Sequence, residues 1–167
     1  MEEGENIQHA LIVNTAGTDL MCNARFVSSW AMLTSNQEKN TKGWLIDSGC
    51  TNHMTLGATI FKWIDRNFNS KVKVGNGQYI KAEGKGDVLI DTHSSTKLVL
   101  DVLLIPEIDR NLLSIAQLLE KWYFVVFKRK ECLISDPSGS KLMSVAMTDR
   151  SFVIDWNRSF FVSIQLP

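Results

Sequence analysis

Cysteine is scarce in this chain of 167 residues: Cys22, Cys50 and Cys132 are three, an odd and widely spaced set. Such a set offers no disulfide framework, so free thiols in a reducing, intracellular setting are expected. An excess of either charge is also lacking, since 18 basic residues face 18 acidic ones. Net charge therefore gives no reason to expect a nucleic-acid or anionic-membrane partner. Long apolar runs are missing as well: the stretch from Leu98 to Ile105 is interrupted by Asp101 and is far too short to span a bilayer. The beginning, Met1-Glu2-Glu3-Gly4-Glu5, is acidic with no apolar stretch behind it, which does not fit a secretory signal and makes a cytoplasmic location the expectation. No internal repeat is present. What remains, at 44% hydrophobic and 22% charged residues, has the composition of a soluble globular protein with one domain of ordinary size.

Along the chain the character changes once. Residues 1–43 mix short apolar pieces (Ala10 to Val13, Phe26 to Met32) with polar ones and end in a polar run from Thr34 to Gly43, read as an extension and linker. From Trp44 the pattern becomes strand-like. Val72-Lys73-Val74 and Gln78-Tyr79-Ile80-Lys81-Ala82 alternate around Gly75-Asn76-Gly77, which predicts a β-hairpin with an exposed tip. Two further strands are expected on either side of the polar turn His93-Ser94-Ser95, the second stopped by Pro106. Apolar residues at helical spacing predict a helix over 111–121, with Asn111 as its N-cap. Another hairpin turns at Lys128-Arg129-Lys130-Glu131, a further turn falls at Asp136-Pro137-Ser138-Gly139, and weaker strands follow over 142–147 and 151–155. Many short strands with turns about every ten residues predict an all-β barrel carrying one helix. Its expected bounds are residues 44–155, with 156–167 a divergent tail.

The candidate chemistry sits at the start of that region. Trp44-Leu45-Ile46 reads as a buried strand that delivers the carboxylate of Asp47 to a strand end, and Gly49 allows a sharp turn beside it. A carboxylate held against apolar surroundings has a physical reason to change its pKa. Cys50 and His53 form a Cys-x2-His pair, but no second pair follows, so Cys50 is expected to fill a small apolar position, His53 to pack or hydrogen-bond near the loop, and no metal to bind. Of the tryptophans, Trp44 is expected in the core and Trp63 and Trp122 in the core or half-buried, whereas Trp30 and Trp156 fall in segments without a pattern. Lys128-Arg129-Lys130 is read as a solvated turn rather than a nucleic-acid contact.

Five motifs in a fixed order then resemble one family. Trp44-Leu45-Ile46-Asp47-Ser48-Gly49-Cys50-Thr51-Asn52-His53-Met54-Thr55, Val72-Lys73-Val74-Gly75-Asn76-Gly77, Gly84-Lys85-Gly86, Asp101-Val102-Leu103-Leu104-Ile105-Pro106 and Asn111-Leu112-Leu113-Ser114-Ile115-Ala116-Gln117-Leu118 closely resemble the protease region of copia-type LTR retrotransposon Gag-Pol polyproteins. The likeness covers roughly residues 44–154. It implies a retropepsin-like half-barrel and an aspartic endopeptidase that processes a Gag-Pol polyprotein inside a virus-like particle. In that reading Asp47 is the catalytic carboxylate, Ser48 the hydroxyl residue that braces two catalytic loops against each other, and Gly49 the glycine of the tight turn. Gly75, Asn76 and Gly77 stand at the substrate-binding flap. Leu112-Leu113-Ser114 replaces the two apolar residues and glycine of other retropepsins.

Aspartic-peptidase chemistry needs two carboxylates, and the chain has a single Asp-Ser-Gly: Asp91-Thr92 runs into His93, and Asp136 into Pro137. An active enzyme is therefore expected to be a homodimer with Asp47 from each protomer at the two-fold axis. It would take a polypeptide substrate in extended form, with no cofactor, no membrane and no direct nucleic-acid contact. The alternative is a catalytically inactive relic of a retrotransposon, or a peptide-binding module that keeps the barrel without the reaction.

Overall fold

A computed structural model describes residues 40–74, 77–91 and 96–156. The extension through residue 39, Trp30, the hairpin residues Gly75 and Asn76, the turn at His93-Ser94-Ser95 and residues 157–167 lie outside the described residues. In chain order the strands are β1 (Asn40–Asp47), β2 (Met54–Thr55), β3 (Phe61–Asp65), β4 (Ser70–Lys73), β5 (Tyr79–Ala82), β6 (Gly84–Asp91), β7 (Thr96–Leu104) and β8 (Arg110–Ser114). The short helix α1 (Ile115–Glu120) follows, then β9 (Phe124–Lys128), β10 (Glu131–Ser135), β11 (Lys141–Thr148) and β12 (Ser151–Asp155). The all-β expectation with one short helix holds. Ten strands form one sheet in the order β3-β6-β7-β2-β8-β1-β12-β11-β10-β9, and β4 pairs with β5 separately. Among the described residues the large sheet is open, with β3 and β9 at its edges, and does not close into a barrel.

The centre of this sheet is the parallel pair β1 and β8, in register Leu45 to Leu112, Ile46 to Leu113 and Asp47 to Ser114. Both strands lie between two apolar clusters. Trp44, Ile46 and Leu113 belong to the first, with Val88, Val102, Ile134 and Ile154. Leu112 belongs to the second, with Cys50, Met54, Val72, Ala82 and Ile105, and Leu45 packs against it. Burial on both faces explains why β1 and β8 read as continuous apolar runs instead of alternating ones.

The same double burial corrects the expected helix over 111–121. Its first half is strand β8, and the helix is limited to Ile115–Glu120 with Ser114, not Asn111, as N-cap. Asn111 is 1% exposed and its side chain binds neighbouring strands. An apolar run with both faces buried does not distinguish strand from helix by periodicity, and here pairing with β1 decides. Two tryptophans also differ from expectation: Trp44 is core, but Trp63 and Trp122 are 62% and 79% exposed. Trp63 lies on edge strand β3, and Trp122 sits at φ 64° in the connection between α1 and β9.

The expected hairpin is present as β4 and β5, with Val72 opposite Ile80. Val72 and Ala82 anchor its base in the second cluster, which also holds Cys50. At its tip the Gly77 amide donates to the Val74 carbonyl at 2.8 Å, and Gly77 takes a φ of 86° that suits glycine. The hairpin of β9 and β10 turns at exposed Lys128-Arg129-Lys130, and Asp136-Pro137-Ser138-Gly139 joins β10 to β11.

Candidate active site around Asp47

Asp47 is the last residue of β1, half-buried, with Ser48 exposed beside it. The turn is closed locally: the Gly49 amide donates to Asp47 Oδ1 at 2.7 Å, an Asx-type turn that fixes one carboxylate oxygen relative to the backbone. The thiol of Cys50, 1% exposed, points back to the Asp47 carbonyl at 3.7 Å. Three sequence candidates, Asp47, Ser48 and Gly49, are thus on one turn at the end of the central strand.

Beneath this turn lies a buried polar network. Ser114 Oγ donates to the Cys50 carbonyl at 2.7 Å, and the Ser114 amide donates to His53 Nδ1 at 2.9 Å. The His53 amide donates to Gln117 Oε1 at 2.7 Å, and the Gln117 amide donates to Ser114 Oγ at 3.1 Å, the capping bond of α1. Gln117 Nε2 continues to the carbonyls of Leu100 and Asp101, both at 3.2 Å. The loop after Asp47 is therefore pinned to β8, α1 and β7 at once. A second buried group does the same one turn on: Asn111 Oδ1 accepts from Thr55 Oγ1 at 2.7 Å, and Asn111 Nδ2 donates to the Gly43 carbonyl at 3.5 Å.

The electrostatics follow from burial. Desolvation first, and the Lys121 charge second, push the His53 imidazole down from 6.5 to about 3, against the opposing pull of Asp101. His53 is neutral at ordinary pH, and because Nδ1 accepts the Ser114 amide its proton sits on Nε2. Asp101, at φ 58°, pairs with Lys121 at 2.8 Å and Lys85 at 3.3 Å, and the Lys121 hydrogen bond leads in holding its carboxyl below the ordinary range.

His53 and Cys50 sit where the sequence placed them, buried at the loop; the described residues contain no group of three or more metal-ligating side chains. Gln117, Asp101 and Lys121 were not singled out from sequence. The available signal was Gln117, a polar residue inside the apolar pattern of 111–121. Of the expected flap residues, Gly77 is at the β4–β5 tip and Gly75 and Asn76 lie outside the described residues.

With this geometry in place, residues 44–123 match the family model described as Pol polyprotein, beta-barrel domain. This span is similar to the β-barrel domain of retrotransposon Pol polyproteins. It is 36% identical over 73 residues to the retrovirus-related Pol polyprotein from transposon TNT 1-94 of Nicotiana tabacum, a match covering 42% of this chain and 5% of that protein. It is 33% identical over 89 residues to a putative transposon Ty5-1 protein of Saccharomyces cerevisiae, covering 52% of this chain and 58% of that one. The match thus spans less than two thirds of either relative. The matched span begins at Trp44 in β1 and ends at Tyr123 after α1, so it contains the Asp47 turn and the network beneath it. Strands β9 to β12 lie beyond it, yet β12 pairs with β1 and Ile154 shares the first cluster with Trp44.

Proposed function

We propose that the Pol β-barrel domain is one half of a retropepsin-type aspartic endopeptidase, active as a copia-type homodimer that processes a Gag-Pol polyprotein in cytoplasmic virus-like particles. The observation that carries this reading is Asp47: a carboxylate delivered by the central strand, presented half-open on a turn, and backed by a buried network that restrains the turn. In the dimer two Asp47 carboxylates about 3 Å apart share one proton. The ionised one takes a proton from water as the water oxygen attacks the scissile carbonyl, while the protonated one donates to the carbonyl oxygen. Collapse of the tetrahedral adduct returns a proton to the leaving amine. Ser48 braces the two turns, Gly49 closes each, and the β4–β5 hairpin with Gly75, Asn76 and Gly77 covers the extended substrate.

Sedimentation at micromolar concentration should give a dimer, and a peptide spanning a Pol junction should be cleaved with inhibition by pepstatin. Asp47→Asn should lower kcat by roughly a thousandfold or more while leaving the fold intact. A strictly monomeric chain, or cleavage that survives Asp47→Asn, refutes the proposal. Peptide binding unchanged by Asp47→Asn and without cleavage would instead identify a binding module.

A further inference from the structure

His53 is a buried titratable side chain of the site that the hydrolytic scheme leaves without a task. It is 2% exposed and held from three directions. From β8 the Ser114 amide reaches its Nδ1 at 2.9 Å; from α1 Gln117 Oε1 accepts its amide at 2.7 Å; from β7 the Leu103 amide donates to its carbonyl at 2.9 Å. Ser114 also grips the middle of the same loop through Oγ and the Cys50 carbonyl at 2.7 Å. The segment from Asp47 to His53 is therefore fastened to a single residue of the parallel neighbour strand at two points, Cys50 and His53. That residue, Ser114, is also the register partner of Asp47.

We propose that His53 is a positioning residue for Asp47, a neutral imidazole latch that fixes the Asp47-Ser48-Gly49 turn against β8 and α1 so that the carboxylate meets its counterpart in a set geometry. This rests on the reading of Asp47 as catalytic. The latch requires Nδ1 to remain an acceptor, because a protonated imidazole would aim a donor at the Ser114 N–H. A carboxylate pair sharing one proton works on the acid side of neutrality, where an ordinary imidazole would be protonated. Burial and Lys121, at the end of α1, oppose that protonation; Asp101 on β7 favours it, but its own charge is taken up by Lys121 and by Lys85 on β6. The site thus holds a histidine that stays neutral where its proposed chemistry runs.

The test uses the full chain with His53→Leu, which removes the acceptor, and His53→Asn, whose side-chain oxygen supplies one. His53→Leu should accelerate hydrogen exchange at the Gly49 and Ser114 amides and lower kcat roughly tenfold or more with little change in KM, since a misplaced catalytic group costs rate, not substrate binding. His53→Asn should restore most of both. A folded His53→Leu protein with wild-type exchange and wild-type kcat overturns the proposal. Should His53→Leu fail to fold, 15N shifts of the wild-type imidazole at pH 5 decide: a neutral ring with bare Nδ1 supports the latch, and a protonated Nδ1 overturns it. Wild-type protein that is inactive but shows these exchange differences would refute the peptidase reading and keep the latch. An active dimer indifferent to His53→Leu would do the reverse.

Discussion

At Gly86 a Cβ would run into the carbonyl oxygen of Trp63 and lie 2.7 Å from Ile64 Cα, both backbone atoms of the paired strand β3 that cannot step aside. Gly84 is nearly as tight, meeting Ile64 Cδ1 at 2.7 Å and the Asp65 carbonyl at 3.0 Å. The Gly84-Lys85-Gly86 motif is therefore a spacer that lets β3 cross close over β6, and its reason was invisible without the partner strand. Gly86→Ala is expected to destabilise the fold by on the order of 3 kcal/mol, measured by urea denaturation; an unchanged midpoint would mean β3 is free to move away. Other single residues were more legible. Trp44 and Cys50 are core as their apolar context implied, but Trp63 on an edge strand and Trp122 in a connection are exposed, since aromatic character alone does not reveal which way a residue faces.

Among the elements, the junction of β8 and α1 shows how far a pattern reaches. Ser114 ends the strand, caps the helix through the Gln117 amide and binds the Cys50 carbonyl, the last two through a hydroxyl that glycine lacks. Ser114→Gly is expected to cost about 2 kcal/mol of stability from the lost cap and buried hydrogen bond. Equilibrium unfolding measures it, and a loss below a few tenths of a kcal/mol would show that water replaces the hydroxyl. The helix reading of 111–114 failed because the residues that decide it, Leu45 to Asp47, are 67 positions from their partners and supply a parallel neighbour that local spacing does not encode. Hairpins were read well because alternation and turn residues act over short separations: β4 with β5, and β9 with β10, fall where the sequence set them.

For the whole molecule, pH is the informative variable. His53 has a folded pKa of about 3, below its ordinary 6.5, so the unfolded chain binds a proton that the folded one refuses. This stabilisation is complete above pH 6.5 and is lost as pH falls toward 3. Between pH 7 and 4.5 the fold should lose about 2–3 kcal/mol from this group, and His53→Leu should flatten that slope in urea titrations. A slope unaltered by the substitution would place the proton elsewhere. Asp101, held low chiefly by its hydrogen bond to Lys121, adds stability that is lost on acidification below the ordinary carboxylate value of 3.8, after most of the His53 contribution has gone.

By itself the sequence determined the strand-rich class, the position of Asp47 at a strand end, the hairpins and the order of motifs, because alternation, turn chemistry and short apolar runs are local signals. The tertiary structure decided that β1 and β8 lie side by side in parallel, that Ser114 stands opposite Asp47, and that His53 and Gln117 join them in one buried network. Those contacts link residues more than sixty positions apart, and only packing between two apolar clusters brings their donors and acceptors within hydrogen-bonding distance.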